Sequence, residues 1–290
     1  MNEFVIVTDS AADLSPELIE EMETVVIPLT YNIQGRDNPN YPDHREMDPH
    51  TFYELLRRGE PATTAAINVS AYTETLTPIL EAGKDILLMV FSSGLSTTYQ
   101  SALIAAEELR EAFPQRVIRT VDTLCASLGQ GLLVWHACRK RGEGLTLDEV
   151  CAWAEENKLH LCHWFTVDDL NHLKRGGRVS AATALLGTML SIKPVLHVDD
   201  EGHLINMSKV RGRAAALSAL VDQMENTAVE PAGQTVFISH GDAPDDARLV
   251  AEDVKARFGV GRVVINTIGP VIGAHSGPGT IALFFLGTNR

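Results

Sequence analysis

The sequence predicts an α/β fold, with an N-terminal part built on a mostly parallel sheet flanked by helices and a C-terminal α/β part with a mixed sheet. Three observations predict this fold. Short apolar runs alternate with segments of helical periodicity in the first half, and a β-hairpin turn interrupts this alternation in the second half. The 290 residues are also about twice a common domain length. We therefore expect an N-terminal domain at residues 1–158 and a C-terminal domain at residues 159–290.

In the first half, short apolar runs bounded by turn residues predict buried strands. These runs lie at residues 4–7, 25–29, 85–91 and 116–121. Helices are predicted from Ser15 onward and at 49–58, 70–80, 93–112, 124–141 and 146–157. The stretch 35–48 is rich in Gly, Asn, Pro and Asp and predicts a loop. Because parallel sheets bind ligands at the carboxyl ends of their strands, a site is expected there.

The second half predicts a different strand arrangement. Two strand-like segments flank Asp199-Asp200-Glu201-Gly202, a sequence typical of a hairpin turn. The segment 269–279 has four glycines and two prolines and predicts a loop before the last strand. Strands are predicted at 160–167, 192–198, 203–209, 234–240, 260–266 and 281–286, and helices at 168–174, 211–226 and 244–257.

Composition excludes several classes of protein. The net charge of −14 argues against a nucleic-acid partner and against an anionic membrane surface. No apolar stretch is long enough to span a bilayer, so no stable membrane insertion is expected. The N-terminus has no signal-peptide pattern, which favours a cytoplasmic protein. The spacing of the four cysteines fits neither a disulfide framework nor a zinc site, so buried free thiols are expected.

One local pattern could bind an anion. The predicted strand at 85–91 ends at Ser92 and Ser93, and Gly94 is predicted to open the next helix. Hydroxyls and free amides at a helix N-terminus attract negative charge. The same residues would also serve as ordinary helix caps, and the sequence leaves both interpretations open.

Three other segments carry candidate polar groups. Thr63-Thr64 is predicted in a loop between two helices, where most hydroxyl pairs serve as turn residues. The segment Lys174–Arg178 predicts a helix end in which Arg178 could form a bidentate contact with a carboxylate. His275 lies within the predicted loop 269–279, whose backbone could approach a ligand closely.

Standard catalytic and cofactor motifs are missing. The sequence contains no G-x-S-x-G nucleophile turn, no phosphate-binding G-x-x-x-x-G-K-[ST] loop and no dinucleotide G-x-G-x-x-G. His160, Cys162 and His163 are close in sequence, but on a strand His163 faces away from the other two, so no metal site is expected. We expect no cofactor and no catalytic residue.

Five motifs in order along the chain resemble the DegV family. Thr8-Asp9-Ser10 with Asp13-Leu14 is similar to its T-D-S-x-x-D-L motif. Ser92–Ala102 resembles S-S-x-L-S-G-T-Y-Q-S-A, and Leu170–Val179 resembles L-x-x-L-K-x-G-G-R-I. Ile192-Lys193-Pro194 matches I-K-P, and Gly269–Gly279 resembles G-P-x-I-G-x-H-x-G-P-G.

The resemblance implies a two-domain protein that buries one long-chain fatty acid and presents its carboxylate to a fatty acid kinase, which forms an acyl phosphate. It implies carboxylate contacts from Thr63, Ser93, the Gly94 amide, Arg178 and His275. Ala65-Ala66 stands where the family usually has Gln-Pro, which puts the shape of the cavity rim in question. Candidate wall residues for the acyl chain are Leu185, Leu186, Met189, Leu190, Ile192 and Val195.

Two other functional classes stay open at this point. In a serine-dependent ester or thioester hydrolase, Ser93 would be the nucleophile and His275 the base, but no motif supplies the third, orienting group. In a small-molecule sensor or phosphate binder, the anion site would hold a ligand other than a lipid. The sequence does not specify acyl chain length, unsaturation, oligomeric state or the kinase.

Overall fold

The computed structural model describes residues 3–179 and 191–290. The N-terminal strands are β1 (Phe4–Asp9), β2 (Val25–Ile27), β3 (Thr30–Ile33), β4 (Arg36–Pro39), β5 (Ala62–Ala65), β6 (Asp85–Val90) and β7 (Ile118–Asp122). The helices among and after them are α1 (Pro16–Met22), α2 (Pro49–Arg57), α3 (Val69–Glu81), α4 (Thr98–Ala112), α5 (Leu128–Gly142) and α6 (Leu147–Asn157).

The C-terminal part continues the same chain order. Its strands are β8 (Leu161–Thr166), β9 (Ile192–Val198), β10 (Leu204–Arg211), β11 (Thr235–His240), β12 (Arg262–Thr267) and β13 (Ile281–Leu286). Its described helices are α7 (Asn171–Arg175), α8 (Arg213–Thr227), α9 (Pro244–Phe258) and α10 (Pro270–Ser276).

A four-stranded parallel sheet forms the centre of the N-terminal part. Its order is β2-β1-β6-β7, and helices pack on both faces, as the alternation of strands and helices predicts. Every residue of β6 is buried, which explains why the strand is a continuous apolar run after Asp85. The loops that follow β6 and β7 therefore leave the sheet at the same edge.

A second, three-stranded antiparallel sheet has the order β4-β3-β5 and was not predicted. Gln34 and Gly35 have φ values of 53° and 74°, the backbone of a two-residue hairpin turn, so β4 pairs with β3. The prediction of a loop throughout 35–48 is therefore wrong. The loop prediction for Thr63-Thr64 is wrong too, because both residues lie on β5 and pair with β3.

The six-stranded C-terminal sheet is mixed, as predicted. Its order is β10-β9-β8-β13-β11-β12, in which only β11 and β12 pair in parallel among the described strands. The predicted hairpin joins β9 to β10, and Gly202 supplies the positive φ of 78° that its turn needs. The boundary predicted near residue 158 stays a prediction, since one buried cluster contains residues from both parts.

The two faces of this sheet have different neighbours. One face packs under α8 and α9 and carries Trp164, Ile238 and Leu283. The other face carries Phe165, Phe237 and Phe284 and packs against α5. Helix α5 is buried over most of its length, because it lies between the parallel sheet and the mixed sheet. The side of the mixed sheet that faces α5 also borders the cavity described below.

Helix α10 replaces the loop that the glycines and prolines of 269–279 predicted. Gly269 is the extended N-cap residue, Pro270 occupies the first helical position, and Gly277, with φ of 79°, ends the helix. Except for the internal Gly273, the glycines and prolines therefore lie at the two ends of a short helix, and His275 lies in its last turn.

The described residues contain neither a cluster of three metal-ligating side chains nor a helix long and apolar enough to cross a membrane. The cysteines are free thiols, of which Cys125, Cys138 and Cys162 are buried and Cys151 is half-buried. Burial raises the pKa of Cys125 to about 11 and that of Cys138 to about 12, which disfavours the reactive thiolate.

Candidate functional site

A cavity of about 470 Å³ lies between the mixed sheet, α10 and the loops that follow β6 and β7. This volume is within the range typical of small-molecule sites. One face of α10 borders it through Val271, Ile272, His275 and Ser276, at the spacing of a single helix face. Most of the remaining wall is apolar and comprises Leu29, Phe91, Leu95, Phe165, Leu173, Val198, Leu204, Ile268, Ala282 and Phe284.

Polar groups from distant segments meet at this cavity. Thr64, Ser93, Arg178 and His275 all border it, although they belong to β5, the loop after β6, the segment after α7 and the last turn of α10. Three of the five residues implied by the resemblance are thus brought to one cavity. Thr63 and Gly94 are not part of the lining.

The strand geometry of β5 explains the difference between the two threonines. Successive side chains on a strand point to opposite sides. Thr64 is half-buried and borders the cavity, whereas Thr63 is exposed. The Thr64 hydroxyl oxygen lies 2.8 Å from Nε2 of His275.

His275 is held as a neutral imidazole. Burial, assisted by the positive charge of Arg178, lowers its pKa to about 4. Its Nε2 contacts Thr64, while its buried Nδ1 has no hydrogen-bond partner among the described residues. Gly176 permits this ring position, because a Cβ there would lie 2.1 Å from Nδ1. The Gly-Gly sequence before Arg178 therefore makes room for His275.

Arg178 supplies positive charge at the same end of the cavity. Its Nε donates to the carbonyl of Leu95 at 3.2 Å, and its Nη1 donates to the carbonyl of Gly176. No carboxylate among the described residues forms an ion pair with this half-buried guanidinium. These carbonyl contacts fix the side chain and leave its charge available for an anion.

The loop after β6 offers hydroxyl groups rather than free amides. The Ser93 amide donates to Asp122 at 3.1 Å and the Gly94 amide to the Ser92 hydroxyl at 3.2 Å. The helix predicted to begin here starts only at Thr98, so the predicted helix N-terminus does not lie at Ser93 and Gly94. Gly94 instead packs against the β9–β10 turn, since a Cβ there would lie 2.6 Å from the carbonyl oxygen of Glu201.

None of the residues predicted to form the wall around the acyl chain is found in the described lining of the cavity. Leu185, Leu186, Met189 and Leu190 lie outside the described residues. Val195 packs in the cluster under α8 and α9, and Ile192 is not part of the cavity lining.

A further polar group of the cavity wall was not predicted. Ser127 and Ser239 border the cavity with their hydroxyl oxygens 2.9 Å apart. Ser127 is also 2.6 Å from Oδ2 of the buried Asp13, whose Oδ1 accepts from the Gly269 amide at 2.9 Å. Burial raises the pKa of Asp13 to about 8. In the sequence Asp13 stands out only as part of a motif. Asp13 and Ser127 are 114 residues apart and Ser127 and Ser239 are 112 apart, so there is no local signal.

Comparison with known proteins agrees with this fold. A model of the DegV family, whose description is that of an uncharacterised protein family, matches residues 3–288. A DegV domain-containing protein of Clostridium perfringens is 45% identical over 100% of this chain and 99% of its own length.

Two solved structures extend the comparison to three dimensions. A DegV family protein of Thermus thermophilus, described as binding fatty acid, has 30% identity and a TM-score of 0.86, with coverage of 98% of this chain and 99% of its own. A DegV lipid-binding protein of Thermotoga maritima has 28% identity and the same TM-score of 0.86, with 99% coverage of both chains. Since the family model spans nearly the whole chain and a full-length relative is 45% identical, the chain belongs to the DegV family.

Proposed function

We propose that this protein binds one long-chain fatty acid, with the acyl chain in the cavity and the carboxylate beside Thr64, Ser93, Arg178 and His275. The observation that carries the proposal is the cavity itself, whose largely apolar wall has hydroxyls and a guanidinium at one end. The Thermus thermophilus relative, at 30% identity, is described as binding fatty acid, which supports the same ligand class here. Thr64 takes the place that the resemblance gave to Thr63.

The two ends of the ligand have different energetic roles. Burying about 15 carbons at roughly 0.8 kcal/mol each gives about 12 kcal/mol of gross stabilisation from the acyl chain. A carboxylate removed from water costs several kcal/mol unless it is paired and hydrogen-bonded. Arg178 supplies the opposite charge, and Thr64 and Ser93 supply hydroxyl donors. The acyl chain therefore dominates affinity, and the polar end fixes the position of the carboxylate.

We further propose that the protein presents this carboxylate to a fatty acid kinase in the cytoplasm. Phosphorylation requires a carboxylate oxygen to attack a phosphorus atom while negative charge accumulates around it. A fixed guanidinium and a neutral imidazole beside the carboxylate can orient it and offset that charge. The resemblance to the DegV family implies a fatty acid kinase as the partner.

The hydrolase alternative lacks the geometry it requires. A serine nucleophile needs a base within hydrogen-bond reach and a third group that orients the base. The described residues show no hydrogen bond between Ser93 and His275, and His275 contacts Thr64 instead. Nδ1 of His275, where an orienting carboxylate would bind, has no partner among them.

The two adjacent threonines provide a matched test. Thr64→Val removes one hydroxyl at the carboxylate, and Thr63→Val removes the neighbouring, exposed one. Loss of a hydrogen bond to a charged acceptor costs about 1.5–3 kcal/mol, so Thr64→Val should weaken binding roughly ten- to hundredfold. Thr63→Val should bind like the wild type. Displacement of a fluorescent fatty acid measures both.

Native mass spectrometry provides the complementary measurement. Protein purified from a bacterial host should carry one fatty acid per chain, which organic extraction removes. A ligand-free cavity would contradict fatty-acid binding. Equal effects of the two threonine variants would contradict the proposed position of the carboxylate.

A further inference from the structure

The cavity has a polar side chain where an acyl-chain tunnel needs none. Ser239 lies on β11 next to Ala282 of β13, in the same row of side chains as Phe165 of β8. All three border the cavity, and Ser239 is fully buried. An alanine at this position would complete an apolar wall. A buried hydroxyl there costs free energy unless its hydrogen-bonding capacity is used.

Asp13, Ser127 and Ser239 form a row of hydrogen bonds, and counting its hydrogens shows what Ser239 offers to the cavity. When Asp13 is protonated, its hydroxyl donates to Ser127 and the Ser127 hydroxyl donates to Ser239, so the Ser239 proton is free to point into the cavity. When Asp13 is ionised, both serines donate towards it, and the Ser239 oxygen is left as an acceptor at the cavity. In either state Ser239 retains unused hydrogen-bonding capacity, since its hydroxyl contacts only Ser127 among the described residues.

A second buried hydroxyl at the same cavity has no hydrogen-bond partner among the described residues. Ser276 is 6% exposed and borders the cavity, and its Oγ has no hydrogen-bond partner among the described residues. It lies beside His275, at the carboxylate end. Buried hydroxyls without partners are uncommon in folded proteins, so Ser276 points to an oxygen atom supplied by a ligand. The unused hydrogen-bonding capacity of Ser239 points to a second one.

The two hydroxyls lie at different levels of the cavity. Asp13 binds the amide of Gly269, at the start of α10, whereas His275 is in the last turn of that helix. Six residues of helix separate these positions, which corresponds to roughly 9 Å. A ligand whose carboxylate lies beside His275 therefore passes the Ser127–Ser239 pair along its chain and not at its head.

We infer that Ser127 and Ser239 form a subsite for an oxygen atom on the acyl chain, and that the preferred ligand is a fatty acid carrying a hydroxyl group part-way along its chain. A hydroxyl matches the subsite in both protonation states of Asp13, because it can donate to Ser239 or accept from it. This inference rests on the proposed function and narrows its ligand class.

The test compares stearic acid with a series of hydroxystearic acids whose hydroxyl lies at successive carbons. We expect at least one positional isomer to bind roughly two- to tenfold more tightly than stearic acid, the effect of one neutral hydrogen bond. In Ser239→Ala, which leaves the contact between Ser127 and Asp13 in place, this preference should disappear. The ratio of the two dissociation constants is the readout, because a general change in the cavity affects both ligands.

The outcomes separate the two proposals. If stearic acid binds and no isomer binds more tightly, or if the preference persists in Ser239→Ala, the subsite is refuted and the proposed function stands. If neither stearic nor any hydroxystearic acid binds, the proposed function fails and the subsite fails with it. Should Ser239→Ala fold poorly, Ser239→Cys keeps a side chain of similar shape with a much weaker donor, and the same loss of preference is expected.

Discussion

Replacing Asp13 by asparagine tests whether this carboxyl is neutral in the folded protein. Its two contacts are the Gly269 amide, which donates to Oδ1, and the Ser127 hydroxyl next to Oδ2. An asparagine can keep both, since its carbonyl oxygen accepts from Gly269 and its amide donates to Ser127. Asp13→Asn therefore imitates the protonated acid and removes the possibility of ionisation.

The sign and size of the effect follow from the pKa of Asp13. Burial raises this pKa from 3.8 to about 8, so the folded state holds a proton that the unfolded state releases. The stabilisation that this bound proton gives the folded state is complete below about pH 4. It falls progressively above that pH and is lost as the pH rises through about 8. At about 1.4 kcal/mol per pH unit, the wild type should lose about 2 kcal/mol relative to Asp13→Asn between about pH 6 and about pH 8.

Urea denaturation at several pH values measures this difference. The free energy of unfolding of Asp13→Asn minus that of the wild type should grow with pH, while the exposed Asp200→Asn should show no such trend. Contributions from Asp9, whose pKa burial raises to about 6, and from the buried histidines occur in both proteins and largely cancel. A difference that does not change with pH, or one that falls as the pH rises, would show that Asp13 is ionised in the fold.

Two further predictions concern the carboxylate end of the cavity. Arg178→Ala and His275→Ala should reduce acyl-phosphate formation by the cognate kinase more than they weaken lipid binding. The lipid dissociation constant and the single-turnover phosphorylation rate of each variant measure the two effects. Equal losses in both would mean that the residues are binding contacts only. A bound carboxylate should raise the pKa of His275 from about 4, so affinity should increase as the pH falls towards 5, and His275→Gln should flatten this dependence.

The sequence predicted those parts of the fold whose signals are local. From Ile86 onward β6 is apolar because both faces of that strand are buried, and the turn before β10 contains the glycine that its backbone requires. The same reasoning failed at α10, where the glycines and prolines of 269–279 predict a loop. They stand at the ends of the helix and at one internal position, Gly273, where a Cβ would lie 2.6 Å from the Tyr53 hydroxyl.

The polar groups that border the cavity could be predicted only in part, because one residue of register decides which threonine faces it. The resemblance placed the contact at Thr63, but on a strand the next residue has the opposite orientation. Strand β5 pairs with β3, and no local pattern in Thr63–Ala66 predicts that pairing. The Asp13–Ser127–Ser239 chain was beyond prediction for a different reason, since tertiary contacts alone bring its three residues together.

The charge at the cavity distinguishes a fatty acid from the phosphate ligand that the sequence left open. Two histidines border the cavity, and both are neutral. Burial and Arg178 lower the pKa of His275 to about 4, and burial lowers the pKa of His163 well below its usual range. Arg178 is therefore the one cation among the described residues that border the cavity. A single carboxylate neutralises that charge, whereas a phosphate dianion would leave an unpaired negative charge beside an apolar wall, at a cost of several kcal/mol. The amides of Ser93 and Gly94, which could have cradled a phosphate, already have partners within the protein. Charge balance and the apolar wall thus both favour a monoanion with a long hydrocarbon chain.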